Sequence, residues 1–167
     1  MSFGTGHHQT TYLMIRNQMK IDHAGLRVMD AGCGTAILSI MASKLGAENV
    51  EAFDIDEWSV INGEENIENN KTKNIQIRQG KIEDLDFDQP FDLILANINK
   101  NVLLAELGTY AKHLVSGGKI LLSGFYIHDV DDLIKEGIAC GFTEVCPDRL
   151  PTWRPSLGRP GLCWSAR

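Results

Sequence analysis

Short apolar runs, each stopping at a glycine, an acid or an asparagine and each followed by a helix-like stretch, constrain this chain more than any other feature. Residues 27–31 read as a buried strand that ends at glycines, and 35–45 carry Ile37, Leu38, Ile40, Met41 and Leu45 at helical spacing before Gly46. Residues 50–53 give a second strand closing on Asp54-Ile55-Asp56. The acidic, asparagine-rich stretch 57–70 reads as a mostly exposed helix with Trp58, Ile61 and Ile67 on its inner side. A strand at 75–78 follows, then 91–96, which is nearly all apolar as a strand covered on both faces should be. A helix at 100–114, a Ser116-Gly117-Gly118 turn, a strand at 119–123, a helix at 129–140 and a strand at 142–145 complete the series. Strand–helix alternation of this length implies an α/β fold: a Rossmann-like, doubly wound, mostly parallel sheet with helices on both faces.

The chain's 167 residues suit one domain. No apolar run approaches the roughly 18–20 residues that cross a bilayer, and Met1-Ser2-Phe3-Gly4 does not open like a secretion signal. Cys33, Cys140, Cys146 and Cys163 are scattered, with no pair spaced for zinc or a redox centre, so reduced thiols and a cytoplasmic location are expected. A net charge of −6 disfavours a general nucleic-acid binder and leans toward a basic partner. Residues 149–167 stand apart from the 1–148 domain, with arginines, Pro151, Pro155, Pro160 and no acid. The prolines exclude a long regular element there, while 161–166 has room for one short edge strand.

Three motifs carry chemistry. Asp30-Ala31-Gly32-Cys33-Gly34-Thr35-Ala36 lies between a strand and a helix, where Gly32 and Gly34 let the backbone approach a ligand and the helix start offers free N–H groups to an anion. Asp54 ends the next strand, where an acid accepts both hydroxyls of an adenosine ribose; Asp56 has the same chemistry but lies two residues outside the strand. Ile37 holds the position at which a dinucleotide fingerprint wants its third glycine. The balance therefore tilts to S-adenosylmethionine, a nucleoside with a carboxylate and an ammonium but no phosphate. Asn97 ends the fourth strand at the switch-point crevice, where its carboxamide both donates and accepts. The third motif, Phe3-Gly4-Thr5-Gly6-His7-His8-Gln9-Thr10-Thr11, is a flexible leader whose threonines cap a helix through Tyr12, Leu13, Ile15 and Met19. Its paired histidines have no acid or cysteine partner at a supporting spacing, so no metal site is expected.

Taken together, Phe3-Gly4-Thr5-Gly6, His8, Thr10-Thr11, Asp30-x-Gly32-Cys33-Gly34, Asp54-Ile55-Asp56 and Ala96-Asn97-Ile98 resemble the ribosomal protein L11 methyltransferase family over roughly residues 2–145. The resemblance implies that Thr11, Gly32, Asp54 and Asn97 contact S-adenosylmethionine, and Gly34 shares the glycine loop of all class I methyltransferases. It implies methylation of lysine and α-amino groups on ribosomal protein L11. The family's N-terminal recognition domain is expected to be absent from this chain, and the basic tail departs from the family's final strands.

Methyl transfer from a sulfonium to an amine is an in-line displacement, so alignment and a neutral acceptor are what the protein must supply. Asn97 is the candidate to orient the donor or accept from the amine, and no residue stands out as an obligatory base. Phe3 and Tyr12 are weaker candidates for walls of the site, and Asp84 reads equally well as a solvated loop acid. The alternatives are a methyltransferase acting on a small molecule or another protein, a nicotinamide-dependent dehydrogenase, and a module that binds S-adenosylmethionine without turnover. The dehydrogenase is disfavoured by Ile37.

Overall fold

The computed structural model describes residues 9–144 and 162–166. The Phe3–His8 part of the leader, Cys146 and the prolines of the tail lie outside them. In chain order the elements are α1 (Gln9–Gln18), β1 (Arg27–Ala31), α2 (Ile37–Lys44), β2 (Asn49–Asp54), α3 (Glu57–Asn69) and β3 (Ile75–Gln79). They continue with β4 (Phe91–Asn97), α4 (Lys100–His113), β5 (Leu114–Ser123), α5 (Val130–Ala139), β6 (Phe142–Glu144) and β7 (Leu162–Ala166). One sheet runs in the order β3-β2-β1-β4-β5-β7-β6. The first five strands in that order are mutually parallel, and β7 is antiparallel to both β5 and β6. The doubly wound α/β fold expected from the strand–helix alternation is the fold found.

Alternation along the central strands divides the core between two faces. Met29, Ala31, Ile94, Ala96, Ile120 and Leu122 pack with Leu103, Leu107, Tyr110 and Leu133 of α4 and α5. Val28, Val50, Leu93, Leu95 and Leu121 pack with Met14 of α1 and Leu38 and Ala42 of α2. Strands buried on both sides need apolar residues at every position, which is why β4 reads as a continuous run.

Two expectations need correction. The strand in the tail is not at the edge. β7 lies inside the sheet, hydrogen-bonded on both sides, and β6 is the edge strand. Cys163 faces the α1/α2 core and Trp164 the α4/α5 core, both nearly inaccessible. That two-sided burial is the mark of an interior strand, masked in the sequence by the arginines and prolines before it. The second correction concerns α3, where Trp58 is 70% exposed and Ile61 45%. The inward residues are Ser59 and Gly63, because α3 lies so close to β3 that a Cβ at Gly63 would come 2.5 Å from Ile77 Cδ1. Ile67 is half-buried, and the small residues rather than Trp58 or Ile61 mark the buried side of this helix.

The Ser116-Gly117-Gly118 segment belongs to β5. Phe91 pairs with Leu114 and Leu93 with Lys119, so the intervening residues bulge from the ladder. The bulge lies at the amino end of β5, away from the motifs, which gather at the opposite end of the sheet.

Candidate functional site

The carboxyl ends of β1, β2 and β4 bring together most of the residues singled out by sequence. After β1 the chain turns through Gly32 at φ 64° and Gly34 at φ 54°, in the left-handed region that suits glycine. A Cβ at Gly32 would overlap Ile98 Cγ2, so the loop passes directly beneath the segment that leaves β4. Ala36 also lies in the left-handed region, at φ 60°, and is fully buried. An alanine held there is strained by roughly 1–2 kcal/mol. The three left-handed positions explain why α2 starts at Ile37, two residues later than its apolar spacing suggests.

The N-cap of α2, Ala36, has no side chain to satisfy the first-turn N–H groups. Asp30 does part of that work from β1. Its Oδ2 accepts from Ser39 Oγ at 2.5 Å, and the Ser39 backbone N–H also bonds to this carboxylate. Burial pushes Asp30 up from the ordinary carboxylate range to about 7, against the pull of the Ser39 hydrogen bonds, and the nearby Asp54 charge adds to the rise. Oδ1 of Asp30 is buried without a hydrogen-bond partner. Cys33, in the middle of the loop, is buried beside Asp30 and Asp54, which raises its thiol far above the usual range. It stays a neutral, inert thiol at physiological pH.

Asp54 anchors the loop to β2. Its Oδ2 accepts from the Gly34 N–H at 2.9 Å and its Oδ1 from the Asp56 N–H at 3.0 Å. Cys33 N–H donates to the Phe53 carbonyl at 3.0 Å, and Asn66 of α3 donates to the Thr35 carbonyl at 3.0 Å, bracing the same loop from a second side. Asp56, second choice for a ribose acid, has a different task. It is the N-cap of α3, and its Oδ2 accepts from both Ser59 N–H and Ser59 Oγ at 2.9 Å.

On the other side of β1, Asn97 ends β4 with its Nδ2 donating to Thr11 Oγ1 of α1 at 3.4 Å, a long bond. Its Oδ1 is buried and has no partner. Thr11 is itself buried; α1 includes Gln9, so Thr10 and Thr11 lie inside the helix and not at its cap as the sequence suggested. Gly34 is thus joined to Asp54, and Thr11 to Asn97, with Gly32 passing beneath Ile98 next to Asn97. Tyr12 is half-exposed on α1 with the Arg16 guanidinium above its ring. Asp84 is exposed at the end of a short 3₁₀ turn (Ile82–Asp84). Neither is drawn into the cluster by any contact in the structure.

This arrangement fits S-adenosylmethionine. A carboxylate oxygen has two lone-pair sites, so each oxygen of Asp54 retains one after bonding its backbone N–H, enough for the two hydroxyls of a ribose. The unpaired Asn97 Oδ1 offers a further buried acceptor. Among the described residues no group of histidine, cysteine and acidic side chains is arranged to hold a metal ion.

Sequence reasoning passed over Ser39 and did not rank Asp30 as a site residue. The available signal was a serine on the inward side of an otherwise apolar helix, nine residues beyond an acid inside a buried strand.

Comparison with known proteins decides the family. The family model for ribosomal protein L11 methyltransferase (PrmA) matches residues 1–153. The chain belongs to the ribosomal protein L11 methyltransferase family. It is 48% identical over 143 residues to the ribosomal protein L11 methyltransferase of Porphyromonas gingivalis, covering 86% of this chain and 49% of that protein. The crystal structure of a ribosomal protein L11 methylase from Lactobacillus delbrueckii subsp. bulgaricus superimposes with a TM-score of 0.87 at 30% identity, covering 100% of this chain and 82% of the other. A Streptococcus mutans protein assigned as a methyltransferase and solved in complex with SAH shares the fold, with a TM-score of 0.74 at 17% identity over 95% of this chain and 98% of the other. The chain spans about half the length of the curated relatives it matches.

Proposed function

We propose that this chain is the catalytic part of an S-adenosylmethionine-dependent protein N-methyltransferase whose substrate is ribosomal protein L11. The observation that carries the cofactor assignment is the Asp54 carboxylate, tied to the Gly34 N–H at 2.9 Å and the Asp56 N–H at 3.0 Å with acceptor capacity left over at the end of β2. Support for the substrate comes from membership of the family and from the names its relatives carry.

In this reading Asp54 holds the ribose, Gly32 and Gly34 let the backbone approach the ligand, and the first-turn N–H groups of α2 that Asp30 does not bond receive the carboxylate. Asn97, fixed by Thr11, presents a carbonyl oxygen to the amine end of the site. S-adenosylmethionine, when bound, supplies a methyl group on a sulfonium sulfur that is open to in-line attack by an amine nitrogen. What the chain itself provides is alignment, which contributes up to roughly 7–11 kcal/mol in favourable cases, and a dry wall that favours an uncharged amine. The buried Oδ1 of the half-buried Asn97 accepts a hydrogen bond without adding a negative charge that would hold the amine protonated.

A cytoplasmic location is part of the proposal. It is supported by a ribosomal substrate and by the absence, among the described residues, of any helix long and apolar enough to cross a membrane. The test is mass spectrometry of ribosomal protein L11 incubated with the chain and S-adenosylmethionine. Methyl additions on lysine and α-amino nitrogens are expected, and they should disappear with Asn97→Ala. Methylation of oxygen or carbon, or none on L11 while a small amine is methylated, would overturn the substrate assignment.

A further inference from the structure

Ser123 is the last residue of β5 and pairs in register with Asn97, the last residue of β4. In a parallel ladder paired residues point to the same face, so both side chains lie on the α1/α2 side, beneath the helix that carries Thr11. Ser123 is fully buried, and its Oγ has no hydrogen-bond partner. Its neighbour Asn97 presents an equally buried and unpartnered Oδ1. A buried hydroxyl without a partner destabilises the fold, and side chains that serve only structure are rarely left so. Here the residues that carry two such atoms are paired in register at the ligand end of the sheet, and neither atom bonds the other.

The chain around them is packed closely. Gly124, directly after Ser123, is at φ 96°, and a Cβ there would overlap the Ile98 backbone. Gly32 meets the side chain of the same Ile98. Ile98 is thus wedged between the loops that leave β1 and β5. The wedge holds the backbone carrying Asn97 against the backbone carrying Ser123.

The geometry points to Ser123 as a further binding residue of the site, which with Asn97 Oδ1 accepts two of the N–H donors of one primary amine or ammonium group. The inference rests on the methyltransferase reading above. An amine is the ligand chemistry that matches. Two neutral oxygen acceptors in a dry site fit a group that brings several N–H donors, and neither adds a negative charge at that point. Such a group has two sources in this reaction: the ammonium of the cofactor's amino-acid end, and the amine that receives the methyl group.

The test compares wild type with Ser123→Ala, a substitution that removes only the hydroxyl. Thermal unfolding of the free chain is measured first, then binding of S-adenosylhomocysteine and of 5′-methylthioadenosine, which lacks the amino-acid end, by calorimetry. The KM for an amine-bearing ribosomal protein L11 substrate completes the set. An unsatisfied hydroxyl predicts that S123A leaves the melting temperature unchanged or raises it. Loss of one hydrogen bond predicts a roughly five- to tenfold loss of affinity for the amine-bearing ligand. Weaker S-adenosylhomocysteine binding with 5′-methylthioadenosine unchanged assigns the amine to the cofactor. An unchanged S-adenosylhomocysteine affinity with a raised KM assigns it to the acceptor. A lowered melting temperature with both ligand constants unchanged makes Ser123 structural and overturns the inference, as does a variant identical to wild type in every measurement. Wild type that binds neither nucleoside sinks the underlying methyltransferase reading instead, and is thereby distinguished.

Discussion

Replacing Asp30 by asparagine should flatten the pH dependence of stability of the free chain. Asp30 is buried between β1 and α2, and burial raises its carboxyl from 3.8 to about 7. The proton is therefore held more tightly in the folded chain than in the unfolded one. The stability this contributes is complete below the unfolded value, near pH 4, and is lost as pH climbs through about 7. A difference of about three pK units, at roughly 1.36 kcal/mol each, comes to about 4 kcal/mol of stability lost between pH 4 and pH 8. Asparagine keeps a carbonyl to receive the Ser39 hydroxyl and has no charge to bury. Urea unfolding of wild type and Asp30→Asn at closely spaced pH values reads the effect directly. The difference in unfolding free energy between the two should shift by about 4 kcal/mol in favour of the mutant from pH 4 to pH 8. Parallel pH profiles would refute the reasoning, because they would mean that Asp30 titrates alike in the folded and unfolded chains.

Other substitutions probe the frame around the site. Gly137→Ala would drive a Cβ into the Trp164 ring, so it should lower the melting temperature by several degrees if β7 packs under α5 as described. Glu51 bridges Arg27 and Arg78 at 2.9 Å each, with only 10% of its side chain exposed. Glu51→Ala leaves two guanidinium groups without their partner and should cost about 3 kcal/mol in denaturant unfolding. Ala36→Gly relieves the left-handed strain and should stabilise the free chain by roughly 1 kcal/mol, a gain that calorimetric melting would detect.

Much of the fold was legible because parallel strands buried on both faces leave unbroken apolar runs, as 91–96 does, and because glycines mark where the chain turns. The order of the final strands was not legible. Trp164 and Cys163 look like stray apolar residues in a basic tail until the sheet shows that each fills one face of the core. Trp58 misled in the opposite direction: size suggested burial, but the sheet-facing side of α3 is made by Gly63 and Ser59. Within the candidate site, the loop glycines, Asp54 and Asn97 could be picked out because their chemistry stands at strand ends and a helix start, whereas Thr11 was named only by the family resemblance. Ser39 offered only the faint signal of a serine on the inward side of an apolar helix, and Ser123 offered none, because an isolated serine at a strand end carries no sign of the partner it lacks. The separate duties of Asp54 and Asp56 became clear only when one bonded the glycine loop and the other capped α3.

The central claim is that Gly32, Gly34, Asp54 and Asn97 form a site for S-adenosylmethionine. Calorimetric titration of wild type and Asp54→Ala with S-adenosylmethionine, S-adenosylhomocysteine and NADH tests it most directly. Saturable binding of the first two and not of NADH is predicted, weakened on the order of a hundredfold in Asp54→Ala by the loss of two charge-assisted hydrogen bonds. Binding of NADH alone, or an Asp54→Ala variant that binds S-adenosylhomocysteine as tightly as wild type, would contradict the account.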